Sequence, residues 1–538
     1  MNKKLITSVF SLFVLSLPAC SGGNGKIVDN SGFKNINENE EFEIHTDQQK
    51  AFLEYEGSYA NMPDNLFPDG QEHLSDSKPI TLTWNYESKD GSAPCKYTVI
   101  YGQEPDLSDG YKVSNDASSD SITFNNPYLG TNYYKLIATF TDDSEDESLI
   151  RHFEVKSSYP RNLTIEGMTN CRDMGGRVLE NGKRIKQGLV FRTSGKNQNG
   201  SLTDATTEEM VNHLKVKNEI NLAGDSNSYN LQLAGTTLIE SCKMDTSSTG
   251  GANANHLSRN AEAVKNFFNI LADSNNYPLF YHCKIGTDRT GLCSVLLSGL
   301  LGVSLNEIYQ DYLFSNFGKI GEKRGIGTGD SHDMLKYIDD LLKYSGATFQ
   351  EKVYNVLLSI GVSEENLEAV MSNLIEDNDS LDAVERVIAP AKELVASGIN
   401  MSTDTSDRNN PNEYYALNSD SQSLSYTFNA KKAYTGQVVA YLGNDSNSET
   451  KKIADAVSCQ LDNDNINMFD QTYYNARMGK CTVSGTSRTN YFPVILGTVS
   501  IEPGEHTIKI IGSSNAMNIG GLYIFDNATA GGDNQRAK

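Results

Sequence analysis

The chain has 538 residues, enough for about three or four domains of roughly 150 residues each. Acidic residues outnumber basic residues by 69 to 46, and the formal net charge is −23. This balance argues against a general nucleic-acid-binding protein, which requires a basic surface. Eight cysteines in a chain of this length argue against a disulfide-stapled scaffold.

The first 20 residues have the pattern of a bacterial lipoprotein signal peptide. A basic start precedes an apolar run from Leu5 to Leu17, and Leu17-Pro18-Ala19-Cys20 resembles a lipobox. The pattern predicts cleavage before Cys20 and a lipid on that residue; an ordinary signal peptide with a chance cysteine is the alternative. We therefore expect a lipid-anchored, extracytoplasmic protein of the bacterial cell envelope. No other run reaches the roughly 20 apolar residues that a membrane-spanning helix needs.

Two segments follow the signal peptide. Residues 21–75 are polar and acidic, which predicts a tether with some local order. Residues 76–157 predict a β-sandwich, because short alternating runs lie between Gly, Asp and Ser turns. These runs are 79–84, 96–101, 121–124 and 133–140. With the single tryptophan, Trp84, on the first run, this stretch resembles a fibronectin type III domain, and we expect a spacing or packing role.

Residues 158–380 alternate strand-like and helical segments, which predicts an α/β domain with a parallel-type central sheet and helices on both faces. An apolar strand, Tyr277 to Tyr281, leads into the loop 282–291, and an apolar helix follows from Thr290 to Leu301. Further helices are predicted around 267–271, 305–316, 331–345, 348–360 and 363–376. The loop is then expected at the carboxyl end of its strand, where ligands usually bind.

Residues 280–291 read Phe-Tyr-His-Cys-Lys-Ile-Gly-Thr-Asp-Arg-Thr-Gly. A cysteine followed after five residues by an arginine can bend around a phosphate, with the N–H groups of 284–289 and a helix N-terminus facing the anion. Cys283 is the predicted nucleophile, since nearby cations and helix N-termini favour the thiolate. Arg289 offers a planar fork for two phosphate oxygens. The alternative is a buried core thiol beside a surface arginine.

The remaining loop residues have supporting roles in this hypothesis. Gly286 lets the backbone turn so that the amides converge. Thr290 can hydrogen-bond the sulfur as it leaves the phosphocysteine, and His282 orients the loop. The predicted substrate-binding residues are His282, Lys284, Ile285, Gly286 and Thr287.

The C-terminal part is predicted to be a linker and a second sandwich. Residues 381–410 begin with a helix-like stretch, Ala383–Ser397, and continue as a polar linker. Residues 411–527 contain strand-like runs at 424–428, 436–442, 497–501, 506–511 and 519–525. This pattern resembles the jelly-roll sandwiches often found as carbohydrate-binding modules, and a sandwich without glycan function is the alternative. A tail occupies 528–538.

The cysteines outside the loop add one structural expectation. Cys459 and Cys481 are the best-placed candidates for a disulfide, since both lie in the C-terminal region. Four others are expected to be free, namely Cys95, Cys171, Cys242 and Cys293. No group of Cys and His has zinc-ligand spacing, so the sequence predicts no metal and no cofactor.

Residues 158–376 resemble the bacterial tyrosine phosphatase family that includes the secreted phosphatases of mycobacteria and listeria. Four segments carry the resemblance in order: Asn170-Cys171-Arg172-Asp173-Met174-Gly175-Gly176, the stretch 188–195, the loop 282–291 and the helix 306–316. The resemblance implies phosphotyrosine hydrolysis, with breadth toward phosphoserine, phosphothreonine and phosphoinositides. It also implies that Asn170, Arg172, Asp173 and Arg192 brace the loop rather than react.

The chain departs from the family pattern at two places. The family usually reads Lys-Asp-Arg at the end of its loop, where this chain has Thr287-Asp288-Arg289. A lysine stands instead at Lys284, which resembles the loop of phosphatase-and-tensin-homologue lipid phosphatases. At 220–223 the family tends to read Ile-Asp-Leu-Arg, and this chain reads Ile-Asn-Leu-Ala, without the arginine.

The general acid has two candidates. A phenolate or alkoxide leaving group needs a proton, which a carboxylic acid within reach should supply. The resemblance implies Asp288, inside the loop, although an acidic residue there is also favoured by the helix dipole alone. The rival is Asp245, in the polar stretch 243–256, where many tyrosine phosphatases carry a mobile acid loop.

These residues lead to a hypothesis and its alternatives. The leading hypothesis is a cysteine-dependent phosphomonoester hydrolase that works through a phosphocysteine intermediate. Within this class we expect a protein tyrosine phosphatase, and dual specificity toward phosphoserine and phosphothreonine stays open. A phosphoinositide or inositol phosphate phosphatase is the alternative that Lys284 suggests. A cell-surface lipoprotein that binds glycans or phosphorylated ligands is the alternative from another class. The expected partners are a phosphorylated substrate, the membrane through the lipid, and a glycan at the C-terminal domain.

Overall fold

The computed structural model describes the chain in segments. They are residues 29–36, 40–55, 59, 62–179, 183–224, 226–245, 256–325, 334–342, 344, 349–376, 386–404, 412–443, 451–468, 472–473, 480–483, 486–489 and 492–526. The signal peptide, Cys20 and the tail at 528–538 lie outside these segments, so the lipid anchor stays a prediction. Among the helices that the segments contain, none is both long and apolar enough to cross a membrane.

The N-terminal sandwich encloses one aromatic-rich core. Its elements are β1 (Phe33–Lys34), β2 (Glu41–Phe42), α1 (Asp47–Leu53), β3 (Ile80–Thr83), β4 (Asn85–Tyr86), β5 (Lys96–Gly102), β6 (Tyr111–Asp116), β7 (Ser121–Phe124), β8 (Gly130–Thr139), β9 (Glu145–Glu147) and β10 (Arg151–Val155). One sheet has the order β2-β10-β8-β5-β6, with β9 on β8, and the pairs β3-β7 and β1-β4 form the rest. Ile80 and Leu82 alternate with exposed threonines and pack beside Trp84, as a half-buried strand requires.

The tether predicted for residues 21–75 is wrong for the described part of that range. Strand β1 pairs with β4, and β2 pairs with β10, so both belong to the sandwich. Helix α1 begins at a capping box in which Thr46 and Gln49 bond reciprocally. Phe52 on this helix is buried against Phe314 and Phe317, at ring distances of 6.1 and 5.5 Å. The prediction failed because isolated apolar anchors in a polar stretch leave no periodic pattern.

The central domain follows the sandwich. Its strands and helices are β11 (Arg172–Asp173), β12 (Val190–Thr193), α2 (Asp204–Thr207), β13 (Asn218–Asn221), β14 (Thr237–Ile239), α3 (His256–Arg259), α4 (Ala261–Ala272), β15 (Leu279–His282), α5 (Asp288–Leu301), α6 (Leu305–Phe314), α7 (Met334–Leu342), α8 (Phe349–Ser359) and α9 (Glu364–Leu374). A π-helix, Glu208–His213, continues α2. Short 3₁₀ turns occupy Asp64–Leu66, Asn227–Tyr229, Ser274–Asn276, Ser315–Phe317 and Ala391–Glu393.

The central sheet has the order β11-β12-β15-β13-β14. Only the pair β11-β12 in this sheet is antiparallel, and the other three pairs are parallel. Phe191 and Phe280 point to one face and pack with Met210 of the π-helix. Leu279 and Tyr281 point to the other face, toward α4 and α5. The domain therefore has the mostly parallel sheet with helices on both faces that the sequence predicts.

The C-terminal sandwich consists of two antiparallel sheets. Its elements are β16 (Arg386–Pro390), β17 (Val395–Ser397), β18 (Ser402–Asp404), β19 (Asn412–Leu417), β20 (Ser423–Ala430), β21 (Tyr434–Gly443), β22 (Lys451–Lys452), α10 (Ile453–Ala456), β23 (Val457–Leu461), β24 (Asp464–Asn465), β25 (Thr472–Tyr473), β26 (Lys480–Val483), β27 (Thr486–Thr489), β28 (Phe492–Ile501), β29 (Gly504–Gly512) and β30 (Met517–Asp526). One sheet has the order β18-β19-β30-β21-β28, with β16 on β30, and the other β17-β20-β29-β23-β24. Small two-stranded pairs join β22 to β25 and β26 to β27.

Two further sequence-based predictions fail in this part. The linker predicted for 381–410, with a helix-like Ala383–Ser397, contains β16, β17 and β18, which join the sandwich. Val387 and Ala389 are buried on alternate positions of β16, so cross-strand pairing with β30 overrides the helical composition. Cys459, predicted to pair with Cys481, is a free and buried thiol. Burial raises its pKa to about 12.

Candidate active site

The predicted loop joins β15 to α5 at the centre of the sheet. Strand β15 lies between β12 and β13 and is parallel to both. All four of its residues are buried, because both faces of the sheet are covered. Helix α5 begins at Asp288, so Arg289 and Thr290 lie in its first turn. The loop therefore sits between the carboxyl end of a buried strand and a helix N-terminus.

Four consecutive carbonyl groups of the loop, from Cys283 to Gly286, are held by donors that precede Cys283 in the chain. The bonds are His282 Nδ1 to Cys283 O at 2.8 Å, Gly195 N to Lys284 O at 2.8 Å, Asn170 Nδ2 to Ile285 O at 3.3 Å, Asn170 Nδ2 to Gly286 O at 3.0 Å and Arg192 Nη2 to Gly286 O at 2.7 Å. Neighbouring strands and the segment around Asn170 thus fix the outer side of the loop.

This outward anchoring decides where the amides point. A trans peptide is planar, so its N–H points away from its carbonyl. With the carbonyls of 283–286 turned outward, the N–H groups of 284–287 turn toward the inside of the loop. Gly286 has φ +71°, and a Cβ there would lie 2.4 Å from the Thr193 carbonyl oxygen, so glycine is required. The result is a concave row of donors of the kind that binds anions.

Cys283 lies at the base of this row. Its side chain is buried, with 1% of the residue exposed. Burial by itself raises the pKa of the Cys283 thiol, but the Arg289 guanidinium and hydrogen bonds from Thr290 outweigh it, so the pKa is lowered. The buried Thr290 hydroxyl meets no hydrogen-bond partner in bonding geometry within the described part of the chain, so it is available to donate to the sulfur. The arrangement therefore favours a thiolate, as nucleophilic chemistry at sulfur requires.

Asp311 on α6 neutralises two buried arginines behind the loop. Arg172 Nε donates to one carboxylate oxygen at 2.8 Å, and Arg192 Nη1 donates to the other at 2.6 Å. The Tyr159 hydroxyl donates to the first oxygen at 2.8 Å. Burial alone raises the pKa of Asp311, but Arg172 and Arg192 outweigh it and lower the pKa below the ordinary range. Asp311 is therefore held as a carboxylate.

The two arginines connect Asp311 to the loop. Arg192 reaches from Asp311 to the Gly286 carbonyl, and Arg172 donates to the Asn170 side-chain oxygen. The Asn170 amide in turn holds the Ile285 and Gly286 carbonyls and lies 3.3 Å from Thr287 Oγ1. Asn170, Arg172 and Arg192 thus lie behind the loop, and Asn170 and Arg192 hold its carbonyls; their bracing role stays a prediction.

Asp173 links the central domain to the N-terminal sandwich through Arg161. One Asp173 oxygen accepts from Arg161 at 2.9 Å and from the Gly188 amide at 2.7 Å. Arg161 is fully buried and also donates to the backbone carbonyls of Asn126 and Pro127, at 2.7 and 2.9 Å. The sandwich is therefore packed onto the segment that positions the loop, and it is more than a spacer.

The two candidate acids differ in their surroundings. Asp288 is partly buried and pairs with Arg324, whose Nε and Nη2 lie 3.1 and 3.3 Å from its two oxygens. Asp245 is exposed, and its amide donates to the Asn260 side chain at 2.7 Å. The residue before it, Met244, pairs with 222–224 beside β15, so Asp245 also lies at the carboxyl edge of the sheet. The geometry brings both candidates to the loop side.

Lys284 is exposed at the mouth of the loop, directly after the nucleophile. Its ammonium lies 5.9 Å from the centre of the Tyr229 ring. Tyr229 also packs against Gly195, since a Cβ at Gly195 would lie 2.9 Å from the Tyr229 Cβ and 2.7 Å from the Cys283 carbonyl oxygen. A cation and an aromatic ring therefore stand together beside the predicted anion site.

Four residues around the site are absent from the sequence-based list of site residues. They are Asp311, Glu219, Arg161 and Arg324. Asp311 lies in the helix segment 306–316 that carries the family resemblance, and that segment is the sequence signal that could identify Asp311 as a site residue. Glu219 is fully buried in β13 and lies 2.9 Å from His282 Nε2. Nothing in the local sequence pattern marks Arg161 or Arg324, because the site carboxylates that they contact, Asp173 and Asp288, are more than ten residues away.

Comparisons with known proteins match the region of the chain that contains this loop. Residues 163–384 match the model of the tyrosine phosphatase family. A protein of Cupriavidus necator, named provisionally as a tyrosine-protein phosphatase, is 26% identical over 177 residues, a match that covers 29% of this chain and 63% of that relative. The chain thus spans less than two thirds of that relative. Both matches agree with the resemblance to tyrosine phosphatases over the central domain, and the mycobacterial and listerial type stays a prediction.

Solved structures give weaker similarity. The core catalytic domain of the PP-IP phosphatase SIW14 from S. cerevisiae is 18% identical, with a TM-score of 0.21, and covers 32% of this chain and 84% of that chain. A family 35 carbohydrate binding module from Clostridium thermocellum is 13% identical, with a TM-score of 0.20, and covers 26% and 98%. A GH26-CBM35 β-(1,4)-mannanase from Podospora anserina is 12% identical, with a TM-score of 0.19, and covers 27% and 28%. No conclusion about fold or function rests on TM-scores of this size.

Within the described segments, no group of three or more His, Cys, Asp or Glu side chains is arranged to hold a metal ion. The donor set around Cys283 consists instead of amides, a guanidinium and a hydroxyl. These are groups that bind an anion, not a cation.

Proposed function

We propose that the chain is a cysteine-dependent phosphomonoester hydrolase whose first substrate class is phosphotyrosine protein. The observation that carries the proposal is the set of outward-held carbonyls at 283–286, which turns the following amides toward an anion above Cys283. The family match at 163–384 supports the same class. A phosphate ester also accounts for the guanidinium of Arg289 beside a nucleophile, since it offers two oxygens to the guanidinium and an electrophilic phosphorus to the sulfur.

The proposed reaction has two steps. The Cys283 thiolate attacks phosphorus, so an S–P bond forms as the ester P–O bond breaks, and the leaving oxygen takes a proton from a carboxylic acid. Water then attacks the phosphocysteine and gives its proton to the same carboxylate, and the S–P bond breaks to restore the thiolate. Arg289 and the loop amides hold the charge on the transferred group in both steps. Thr290 stabilises the departing sulfur by its hydrogen bond.

We assign the general acid to Asp288. It precedes Arg289 and is partly buried at the loop, whereas Asp245 is exposed. Arg324 stabilises the carboxylate of Asp288 in the unliganded protein. A bound phosphate dianion adds negative charge beside that carboxylate, and a nearby like charge favours the protonated form that an acid needs.

A pair of variants tests this assignment. Asp288→Asn should lower kcat on phenyl phosphate by about 100-fold or more, because the phenolate then leaves without a proton. The loss should be smaller on an ester with a better leaving group, and the basic limb of the pH–rate profile should disappear. Asp245→Asn, the matched control, should stay within about twofold. If Asp245→Asn shows the loss and Asp288→Asn does not, Asp245 is the acid.

An inositol phosphate or phosphoinositide substrate is the second candidate. The observation that favours it is Lys284, an exposed cation at the mouth of the loop, where it can meet a second phosphate of a polyanionic substrate. Charge-assisted hydrogen bonds contribute about 1.5–3 kcal/mol, which corresponds to roughly 10- to 100-fold in rate or affinity.

Lys284→Ala separates the two substrate classes. If the polyanion is the substrate, kcat/KM on an inositol polyphosphate should fall at least about tenfold more than kcat/KM on a phosphotyrosine peptide. Lys243→Ala is the matched control, since Lys243 is a neighbouring lysine already bonded to Glu240 and Asn227. Equal losses of kcat/KM on both substrates would contradict the inositol phosphate hypothesis and leave the phosphotyrosine hypothesis in place.

A further inference from the structure

Asn170 holds the outer side of the loop from an uncommon backbone conformation. Its side-chain amide lies 3.3 Å from the Ile285 carbonyl oxygen, 3.0 Å from that of Gly286 and 3.3 Å from Thr287 Oγ1. The backbone of Asn170 has φ +58°, in the left-handed region, which asparagine adopts more readily than most residues but still at a cost in strain. Whatever holds this backbone therefore also sets the position of the Asn170 amide at the loop.

The backbone N–H of Asn170 donates to the side-chain hydroxyl of Ser75, at 3.0 Å. Both residues are buried, so this bond is sheltered from water. A Cβ at Gly318 would lie 2.9 Å from the Asn170 Cβ, so the chain also packs closely against the asparagine side chain. Ser75 lies just before β3, in the stretch that the sequence predicts to be a tether. A residue far from the loop in sequence thus holds the N–H of the residue that grips the loop.

Ser75 is itself fixed from several directions. The Gln49 amide donates to the carbonyls on either side of it, Leu74 O at 2.8 Å and Asp76 O at 3.1 Å. The Ser75 carbonyl accepts from Asn162 Nδ2 at 2.8 Å. Gln49 is a member of the capping box that begins α1. Helix α1 and the segment before β11 therefore both fix the backbone from which the Ser75 hydroxyl projects.

We propose that Ser75 is a positioning residue for the phosphate loop and that it acts through Asn170. The proposal rests on the proposed function, since it takes the loop to be the place where phosphate binds. The Ser75 hydroxyl holds the N–H of Asn170, and the Asn170 amide keeps the carbonyls of Ile285 and Gly286 turned outward. The N–H groups that follow those carbonyls then face the anion. The chain segment before β3 is therefore part of the support of the loop.

The test is a comparison of Ser75→Ala with Ser77→Ala in the full chain. Both variants remove a buried hydroxyl from the same segment, but the Ser77 hydroxyl contacts Thr164 and Asn126, at 3.2 and 3.3 Å. The readout is the affinity for tungstate, a tetrahedral oxyanion of the shape of phosphate, measured by calorimetry with Tm recorded for each variant. Ser75→Ala leaves the N–H of Asn170 without its acceptor and should weaken tungstate binding by about tenfold. Ser77→Ala should stay within about twofold, even where its Tm falls as much.

Two outcomes would overturn the proposal. One is a folded Ser75→Ala variant that binds tungstate as tightly as the wild type. The other is equal weakening in Ser75→Ala and Ser77→Ala, because the cause would then be a general loss of packing. Ser75→Cys covers the case in which Ser75→Ala does not fold, since a thiol keeps the shape of the side chain but accepts a hydrogen bond more weakly. It should weaken tungstate binding by about threefold, and an unchanged affinity would contradict the proposal.

Calorimetry needs no turnover, so this proposal and the proposed function can fail separately. If the wild type hydrolyses no phosphate ester but binds tungstate in a manner that depends on Ser75, the proposed function is wrong and the positioning role stands. If the wild type hydrolyses phosphate esters and Ser75→Ala binds tungstate normally, only the positioning role is wrong. A wild-type chain that binds no tungstate would refute both.

Discussion

Replacing Cys283 with serine should abolish phosphate-ester hydrolysis, with kcat falling by about four orders of magnitude or more. A serine hydroxyl has nearly the same shape, but at neutral pH it is not ionised by the groups that favour the Cys283 thiolate, Arg289 and Thr290. Phosphate binding should survive, because the loop amides and Arg289 remain. The measurement is steady-state kinetics on aryl phosphates, with phosphate affinity determined separately.

Cys293→Ser is the matched control for this loss. Cys293 is a second buried thiol, one that lies on α5, and burial raises its pKa far above that of an ordinary thiol. It is therefore inert as a nucleophile, and Cys293→Ser should keep most of the activity after its stability is checked. If Cys283→Ser retained more than about a tenth of the wild-type kcat, the phosphocysteine route would be wrong.

Asp311→Asn should have the largest effect on stability. The side chain is buried and its two oxygens accept from Arg172 and Arg192, so the variant leaves two guanidinium groups in the core with no carboxylate between them. Removing one partner of a buried ion pair costs about 3–5 kcal/mol. For a domain of this size we expect Tm to fall by about 10 °C. Activity should fall too, because Arg192 also holds the Gly286 carbonyl.

The pH dependence of this effect has a defined sign. The pKa of Asp311 is lower in the folded protein than in the unfolded chain, so its stabilising contribution is complete above roughly pH 4 and is lost as pH falls. The Tm difference between wild type and Asp311→Asn should therefore narrow in acid. Glu147→Gln is the control, since the exposed pair of Glu147 with Lys135 contributes under about 1 kcal/mol. Equal Tm values for wild type and Asp311→Asn at neutral pH would contradict the buried-pair account.

The loop and its flanking elements are predictable from the sequence because their signals are local. An apolar strand, a Cys–Arg spacing and an apolar helix lie within about 25 residues, and the structure has β15 and α5 where these signals predict them. Asn170, Arg172 and Arg192 also fall in recognisable segments. Each of these residues could be assigned to the site without knowing the fold.

The residues that the sequence does not reveal act over long separations. Asp311 is 139 positions from Arg172, and Glu219 is 63 positions from His282, so only the fold brings each pair together. From sequence alone, an acidic residue on a helix or strand is most simply interpreted as a solvated side chain, so nothing marks it as part of a site. The segments around Phe33 and Val387 fail for a related reason, since their strands are defined by partners far along the chain.

The most direct test of the central claim is to trap the covalent intermediate. Asp288→Asn should slow hydrolysis of the phosphocysteine, because water then lacks its base. The variant is mixed with an aryl phosphate whose phenolate leaves without a proton, so that the S–P bond still forms. The reaction is quenched within the first turnover and the protein is digested for mass spectrometry. The account predicts one phosphoryl group on the peptide that contains Cys283. Phosphate release with no phosphorylated peptide, or with the phosphoryl group on another residue, would contradict it.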